Sequence, residues 1–189
     1  MRIITHKDWL VMPWKNGGGQ TTQLAVFPDK ADFESFMWRL SMAAAREDGP
    51  FSRFEGIDRT LLILEGQGVI LHRPSKADIT LNAHTEPFVF AGEEPVTMTL
   101  VDGPILDFNV MTRRTRCRHS VSSLRPTTVL TVPAENAVRV LFCRNGSATV
   151  GNTSLRAREA ILLEPGESLP TLIPDGALEL LLVRIMAVE

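Results

Sequence analysis

The 189-residue sequence lacks the features that mark membrane, secreted and nucleic-acid-binding proteins. No segment approaches the roughly 18 consecutive apolar residues that a membrane-spanning helix needs, and the first residues contain no continuous apolar stretch of a signal peptide. Twenty Lys and Arg residues against 22 Asp and Glu give a formal charge of -2, so no basic field favours nucleic acid or an anionic membrane. We therefore expect a cytoplasmic protein with neither of these partners.

Cysteine and histidine are too few and too scattered for the common metal sites. The two cysteines, Cys117 and Cys143, have no metal-type spacing, and we interpret them as reduced structural thiols. A metal site inside a β-barrel needs two histidines at positions i and i+2 of one strand, and the four histidines of this chain form no such pair. We predict no bound metal and no other cofactor.

The common catalytic and phosphate-binding motifs are also missing. No Gly-x-Ser-x-Gly elbow occurs, and the glycine run near the start has neither P-loop spacing nor the spaced glycines of a dinucleotide fingerprint. The sequence therefore predicts no catalytic residue from a motif.

The chain does contain a succession of short apolar or alternating runs, separated by Gly, Pro, Asn and Asp. This pattern is typical of an all-β sandwich or barrel, and no amphipathic helical period appears outside a possible turn at Pro28–Ser35. The predicted strands are Phe36–Ala43, Thr60–Leu64, Gly68–His72, Phe88–Phe90, Val96–Val101, Leu106–Met111, Thr127–Val132, Val138–Cys143, Ala148–Val150, Ala160–Leu163 and Ala177–Ile185.

An internal repeat refines the fold prediction. Three segments of the first half match three of the second half in the same order, which indicates a duplicated β-domain. The strand, Gly turn, strand rhythm of each copy is that of a cupin half-barrel, so we predict a bicupin of two packed cupin-like barrels, residues 1–115 and 116–189. Chance similarity of short β-segments is the alternative. The matched pairs are Arg59–Ile70 with Arg139–Val150, Phe90–Glu93 with Glu164–Glu167, and Asp102–Val110 with Asp175–Val183.

The two copies differ in polarity on one strand. Asp107 and Asn109 of the first copy stand where the second copy has Leu180 and Leu182. Residues at i and i+2 of a strand project from one face, so the two polar side chains share a surface. That surface is either a barrel lumen or a solvated sheet face.

A second strand repeats this arrangement with Arg39 and Ser41 on one face. If both faces point into the first barrel, Arg39 would hold a small carboxylate through paired donors, and Asp107 would orient the ligand or accept a hydrogen bond from it. A structural Arg–Asp pair in solvent is the alternative. Arg59 and Asp58 could rim the same pocket, although capping a turn is the simpler role for them.

The segment Met12–Thr22 contains three consecutive glycines after Trp14, Lys15 and Asn16. Glycine suits backbone with positive φ or close approach to another group, so we interpret the run, which includes Gly17, as a built turn that presents these side chains. An ordinary flexible loop is the alternative.

Another run, Arg113–His119, contains four arginines between the halves and is interpreted as a solvated linker, with subunit contact or anion binding as alternatives.

Six ordered motifs of the first 115 residues resemble the HutD/Ves family. The resemblance implies a bicupin without the usual metal ligands, a pocket lined by motif residues, and a link to bacterial histidine catabolism. It also implies a regulator of flux that takes a small acid such as formylglutamate or urocanate, and it does not separate the histidine-utilisation branch from the stress-associated Ves branch. The motifs are Pro13–Gly19, Trp38–Ala43, Asp48–Ser52, Asp58–Arg59, Leu64–Gly66 and Asp107–Arg113.

We therefore predict a metal-free bicupin that binds formylglutamate, formiminoglutamate or urocanate in its N-terminal barrel. Three alternatives stay open: a hydrolase or isomerase with Asp107 as general base, a Ves-type stress protein, and an interaction module that uses the arginine run. The prediction allows a homodimer. The predicted ligand-binding residues are Trp14, Lys15, Asn16, Gly17, Arg39, Ser41, Arg59, Asp107 and Asn109.

Overall fold

A computed structural model describes the backbone of residues 1–188 and their side chains except that of Pro170. Over this range the chain forms β-strands and one short 3-10 helix, His6–Asp8, which confirms the all-β prediction. No helix within the described range has the length and apolar character to cross a bilayer. The strands are β1 (Arg2–Ile4), β2 (Leu10–Pro13), β3 (Gly19–Phe27), β4 (Trp38–Ala45), β5 (Gly49–Pro50), β6 (Ile57–Glu65), β7 (Val69–His72), β8 (Ile79–Leu81), β9 (Phe88–Ala91), β10 (Thr97–Leu100), β11 (Ile105–Arg113), β12 (Cys117–Leu124), β13 (Leu130–Val132), β14 (Val138–Asn145), β15 (Ser147–Val150), β16 (Thr153–Arg156), β17 (Ala160–Leu163), β18 (Leu169–Pro174) and β19 (Glu179–Ala187).

The chain divides into two compact units. The first unit is Trp9–Cys117, and the second unit runs from Arg118 onward and includes the first eight residues, Met1–Asp8. This division differs from the predicted one at the N-terminus, because β1 pairs in antiparallel register with β17 of the second unit. A three-residue strand with a partner more than 150 positions away gives no local signal of its pairing.

The order of the strands is repeated in the two units. In the first unit, a six-stranded sheet has the order β2-β3-β4-β11-β6-β9 and a four-stranded sheet the order β5-β10-β7-β8. In the second unit, the corresponding orders are β1-β17-β14-β19-β12 and β13-β18-β15-β16. Read from β4 and from β12, the two arrangements match strand for strand, as a duplicated domain requires. The first unit adds β2 and β3 to this plan, and the second unit adds β1.

The tight turns of the two copies need glycine for the same physical reason. Gly66 after β6 has φ +95° and Gly146 after β14 has φ +86°, both in the left-handed region that side chains rarely adopt. A Cβ at Gly66 would lie 2.6 Å from the carbonyl oxygen of Pro104, and a Cβ at Gly146 would lie 2.2 Å from that of Ala177. Pro104 and Ala177 are themselves matched in the sequence repeat, so backbone contacts and sequence identify the same duplication.

Apolar side chains form a separate core in each unit. Because strand residues alternate between faces, each strand contributes every second residue to its core, and each fully buried aliphatic side chain stabilises the fold by about 1.5–3 kcal/mol. The first core contains Ala45, Leu61, Ile63, Val69, Leu71, Leu81, Phe90, Val96, Met98 and Ile105. The second contains Val132, Leu141, Cys143, Ala148, Val150, Leu155, Ile161, Leu163, Leu169, Leu172, Leu178, Leu180 and Leu182.

Both cysteines are free, buried thiols, as the sequence predicted. Burial raises the pKa of Cys143 to about 11 and also raises the pKa of Cys117. The Cys117 thiol donates to the carbonyl oxygen of Met37 at 3.1 Å. A thiol that stays protonated is a poor nucleophile and a poor metal ligand, so both cysteines act in packing.

The interpretation of Arg113–His119 as a solvated linker holds only for part of the run, since Arg116 and Arg118 are exposed whereas Arg113 and Arg114 are hydrogen-bonded. Arg113 ends β11, Cys117 begins β12, and only a short turn separates the two strands. The Arg113 guanidinium donates from Nε to the carbonyl oxygen of Phe36 at 3.0 Å. Arg113 and Arg114 therefore hydrogen-bond within the first unit, so the beginning of the charge run is not a free segment.

Arg114 shows why a run of arginines in the sequence does not by itself indicate a solvated segment. Its guanidinium lies 2.6 Å from Glu93 Oε1 and 2.9 Å from Asp58 Oδ1, and these hydrogen bonds raise its pKa. Asp58, a candidate for the rim of the pocket, is therefore engaged in this ion-pair cluster. The carboxylates that hold Arg114 lie 21 and 56 residues away in sequence, beyond the reach of a local pattern.

The glycine turns provide a test of the duplication. We expect Gly66→Ala and Gly146→Ala each to lower the free energy of unfolding by about 2–4 kcal/mol, because the new Cβ must adopt left-handed backbone and displace a carbonyl group. Urea unfolding at 25 °C measures the change. Gly49→Ala is the matched control, because its Cβ would meet nothing within 4 Å. A cost at either turn no larger than that of Gly49→Ala would contradict the assignment.

Candidate functional site

A cavity of about 530 Å³ lies in the first unit. Its wall comprises the inward faces of β4, β6 and β11, the glycine turn between β2 and β3, and the segment Glu47–Phe54. The volume falls in the range of sites that bind small molecules.

The register of three strands places the polar side chains on one face. On β4, Arg39 is opposite Met111 and Ser41 is opposite Asn109 of β11, while on β6 Arg59 is also opposite Met111. Residues directly opposite each other in antiparallel strands project from the same face, and all of these side chains line the cavity. Arg39, Ser41, Arg59, Asp107 and Asn109 are each at most 4% exposed, so the alternative of a solvated sheet face is wrong.

Arg59 is held in place by hydrogen bonds and aromatic rings. Its Nη2 donates to Asn109 Oδ1 at 2.7 Å, and its Nη1 donates to the carbonyl oxygen of Ser52 at 3.2 Å. Its Nε is buried without a hydrogen-bond partner. Burial lowers the pKa of Arg59 to about 10, with Asp107 opposing that shift, so the group remains a cation at neutral pH. The guanidinium carbon lies 4.9–5.7 Å from the ring centroids of Phe51, Phe54 and Phe90.

Arg39 is the second buried cation of the cavity. Its Nε donates to Gln23 Oε1 at 2.8 Å, and its guanidinium carbon lies 5.1 Å from the ring centroid of Phe33. Its Nη2 is buried without a hydrogen-bond partner, and no ion pair with a carboxylate is found for it among the described residues. Burial lowers its pKa to about 10, which still leaves it charged at neutral pH. Arg39 is therefore a desolvated cation with a free donor.

Asp107 completes the buried charges. Burial raises its pKa to about 7, although the charge of Arg59, the backbone of Ala43 and the amide of Asn109 all favour its ionised form. Asn109 connects the two groups, because its Oδ1 accepts from Arg59 and its Nδ2 donates to Asp107 Oδ1. These two partners fix the orientation of the amide. The pKa of Asp107 therefore lies close to neutral pH, and this carboxyl can change its protonation in that range.

The glycine run forms a built turn at the edge of the cavity, which excludes the flexible-loop alternative. The Trp14 N–H donates to the carbonyl oxygen of Gly19 at 2.9 Å, and the indole Nε1 of Trp14 donates to Thr21 Oγ1 at 2.8 Å. Gly17 has φ +76°. A Cβ at Gly19 would lie 2.4 Å from the carbonyl oxygen of Ala44, so this glycine allows the turn to lie against β4.

Two exposed side chains of this turn border the cavity, Lys15 and Asn16. Asn16 Oδ1 accepts from the Gly18 N–H at 3.1 Å, so this asparagine also stabilises the turn. The turn is shorter than the segment Met12–Thr22 singled out in the sequence, because β3 begins at Gly19 and Gln20–Thr22 is strand.

The structure brings together most of the residues selected from the sequence. Trp14, Lys15, Asn16, Arg39, Ser41, Arg59, Asp107 and Asn109 all line the cavity. Gly17 does not, and its contribution is the positive φ of the turn. Sequence reasoning missed Gln23, because β3 was not predicted, and it missed Phe33, Phe51 and Phe54, which lie in irregular segments without a strand period.

No histidine or cysteine lines this cavity. In the part of the chain that the structure describes, no three side chains of His, Cys, Asp or Glu lie close enough to hold a metal ion. The donors available to a ligand are guanidinium, ammonium, amide and hydroxyl groups, a set that suits an organic anion.

Two units of repeated strand order, one with a cavity of ligand size, define the class of protein as a bicupin. The same fold occurs in vicilin from Corylus avellana (hazelnut), with a TM-score of 0.65 over 98% of this chain and 85% of vicilin. The sequence identity of 9% means that this likeness concerns the fold alone.

The chain belongs to the HutD family, whose model matches residues 6–180. It is 35% identical to Protein Ves of Citrobacter koseri over 167 residues, which cover 87% of this chain and 84% of Ves. It is 36% identical to an uncharacterized 21.2 kDa protein in the hutC 3' region of Pseudomonas putida over 114 residues, 59% of this chain and 57% of that protein. The structure of HutD from Pseudomonas fluorescens SBW25 superposes with a TM-score of 0.84 at 25% identity, over 100% of this chain and 99% of HutD.

The elevated pKa of Asp107 predicts a pH-dependent cost in stability. Since the folded-state pKa is about 7 and the ordinary value is 3.8, burial penalises the ionised form fully above pH 7, progressively less as the pH falls, and not at all below pH 4. Asp107→Asn is therefore expected to stabilise the protein at pH 8 by up to about 4 kcal/mol.

Urea unfolding at pH 8 and at pH 4.5 tests this expectation. The advantage of the variant should be largest at pH 8 and small at pH 4.5. Asp29→Asn at an exposed turn is the control and should change little at either pH. An Asp107→Asn variant no more stable than the natural protein at pH 8 would show that the ionised carboxylate is well solvated or well paired.

Proposed function

We propose that this protein binds a small carboxylate of bacterial histidine utilisation in the cavity of its first unit, and that occupancy of the site regulates the pathway. The observation that carries the proposal is the pair of buried arginines, each with an N–H group that has no protein partner. An unpaired buried cation is costly, and a carboxylate bound to it removes much of that cost. The cavity therefore favours an anionic ligand.

Arg39 is the proposed anchor for the ligand carboxylate. Arg59 is already engaged by Asn109 and Ser52, whereas among the described residues Arg39 is hydrogen-bonded through Nε to Gln23. A guanidinium can present two parallel donors to a carboxylate, which gives a strong and directional contact. Lys15, exposed at the edge of the cavity, would add a weaker and more solvated attraction to a second carboxylate.

Asp107, Asn109 and Ser41 would receive the remaining polar atoms of the ligand. Formylglutamate, formiminoglutamate and urocanate each carry at least one carboxylate and a nitrogen-containing group. The carboxylate would accept from Arg39, and the nitrogen-containing group would hydrogen-bond to the uncharged and acidic side chains. The association with histidine utilisation is supported by the membership of the HutD family and by the relative in the hutC 3' region of Pseudomonas putida.

Isothermal titration with the three acids tests the proposal. We expect one of them to bind in a 1:1 ratio, and we expect Arg39→Ala to weaken its binding by about 30-fold or more, because a buried charge-assisted pair is lost. Arg53→Ala is the matched control, since its side chain is 59% exposed and lies outside the cavity lining. Failure of all three acids to bind, or equal affinity of Arg39→Ala and the natural protein, would overturn the proposal.

A second candidate function is supported by Asp107. A carboxyl whose pKa lies near 7, beside two cations in a cavity, has the properties of a general base in a hydrolase or isomerase. Proton NMR of the three acids during incubation with the protein distinguishes the two functions. Turnover that is lost in Asp107→Asn would establish the enzyme, whereas acids that stay unchanged would favour binding alone.

A further inference from the structure

The charge of Arg59 interacts with one negatively charged group and one positively charged group. The charge of Asp107 favours its cationic form, and the charge of Arg39 opposes it. Asn109 links Arg59 to Asp107 through one hydrogen bond to each. Because all of these side chains are at most 4% exposed, solvent screens their charges only weakly, and Asp107 is the carboxylate whose charge compensates that of Arg59.

We propose that a carboxylate bound at Arg39 and Arg59 displaces Asp107 as the counterion of Arg59, and that Asp107 takes up one proton from solvent as the ligand binds. This inference rests on the proposed function, since it requires an anionic ligand in the cavity. It means that the site accepts its ligand as an anion together with a proton.

Charge balance within the cluster supports the coupling. Without ligand, two arginine cations and ionised Asp107 sum to one positive charge. A ligand carboxylate would remove that charge and place two carboxylates in the same desolvated cavity, an arrangement in which each disfavours the ionisation of the other. Uptake of a proton by Asp107 restores one positive charge and leaves a single carboxylate for the two arginines.

The hydrogen bonds around Asp107 can accommodate the proton. Asn109 Nδ2 donates to Oδ1 of the carboxyl, which remains an acceptor after protonation, and the proton can reside on Oδ2. Burial already holds the pKa of Asp107 near 7, so a modest additional effect of the ligand changes its protonation at neutral pH.

The other side chains near Asp107 are the two arginines, neutral residues and charged residues exposed to solvent. Arg59 projects from β6 and Arg39 from β4, while β10 contributes the neutral Met98 to the lining and β3 the neutral Gln23 that accepts from Arg39. Lys15, Glu47 and Asp48 also border the cavity, but they are exposed, so water screens their influence on Asp107. Asp107 is therefore the buried carboxyl that a bound anion would affect most directly.

Titration calorimetry with N-formyl-L-glutamate tests the coupling. Neither its carboxyl groups nor its amide titrates between pH 6 and pH 8, so a change in bound protons comes from the protein. Comparison of MOPS and Tris at pH 7.5, which differ in ionisation enthalpy, should show net uptake of protons, up to about one per ligand. The affinity should fall about tenfold from pH 6 to pH 8, because protonation of Asp107 becomes less favourable.

Asp107→Asn provides the decisive variant. Its side chain is permanently neutral, so we expect no proton uptake, an affinity independent of pH between 6 and 8, and tighter binding than the natural protein at pH 8. Glu55→Gln is the control, since its carboxylate is 84% exposed and lies outside the cavity lining, and it should retain the natural proton uptake. Should the Asp107→Asn variant fail to fold, Asp107→Ser, whose side chain is also permanently neutral, takes its place with the same expected results.

The possible outcomes separate this inference from the proposed function. Binding with no proton uptake and no pH dependence would overturn the coupling and leave the binding function intact. Uptake that persists in Asp107→Asn would also overturn it, because another group would then be responsible. Absence of binding at every pH would overturn both.

Discussion

The first unit depends on the cost of keeping two guanidinium cations out of water. Arg39 and Arg59 are each 3% exposed, and a buried cation is tolerated only where hydrogen bonds, rings or counterions replace its hydration. The surroundings of Arg59 meet this requirement with an amide, a backbone carbonyl and three aromatic rings. Because those groups come from different segments, the position of Arg59 constrains β9, β11 and the segment before β6 at the same time. The donors that remain unsatisfied are the ones that make the cavity a binding site.

The polar residues of β11 and the two arginines explain why a cavity persists in the first unit. An apolar pair at the positions of Asp107 and Asn109 would pack closely, as the matching Leu180 and Leu182 do in the core of the second unit. Charged groups that repel each other and lack complete partners resist such collapse. The glycine turn complements this arrangement, because Gly19 allows the backbone beside Trp14 to lie directly against β4.

Much of this site could be predicted from sequence because its residues obey the period of a β-strand. Arg39 and Ser41, like Asp107 and Asn109, are separated by two positions, and the internal repeat shows that the second pair departs from an apolar pattern. The HutD/Ves resemblance adds the glycine turn to the same region. Gln23 could not be found in this way, because β3 begins with a glycine and Gln20–Gln23 is polar, so no apolar alternation marks the start of the strand.

The rest depended on contacts between residues far apart in sequence. Phe33 is 52% exposed and lies in an irregular segment, yet its ring lies beside the guanidinium of Arg39. The pairing of β1 with β17 and the ion pairs of Arg114 are likewise long-range. Local propensity carries no information on such partners, which are selected by the folded topology.

Arg139 of the second unit shows which feature of the site is common to the two copies. It occupies the position that matches Arg59, is fully buried, and donates to the backbone carbonyl groups of Pro133 and Glu167. A buried arginine at this point of the barrel is thus shared by both copies of the repeat. The copies differ in the neighbouring strand, which carries Asp107 and Asn109 in the first unit and Leu180 and Leu182 in the second. The buried arginine alone therefore does not make a polar cavity, and the polar residues of β11 are what distinguish the first unit.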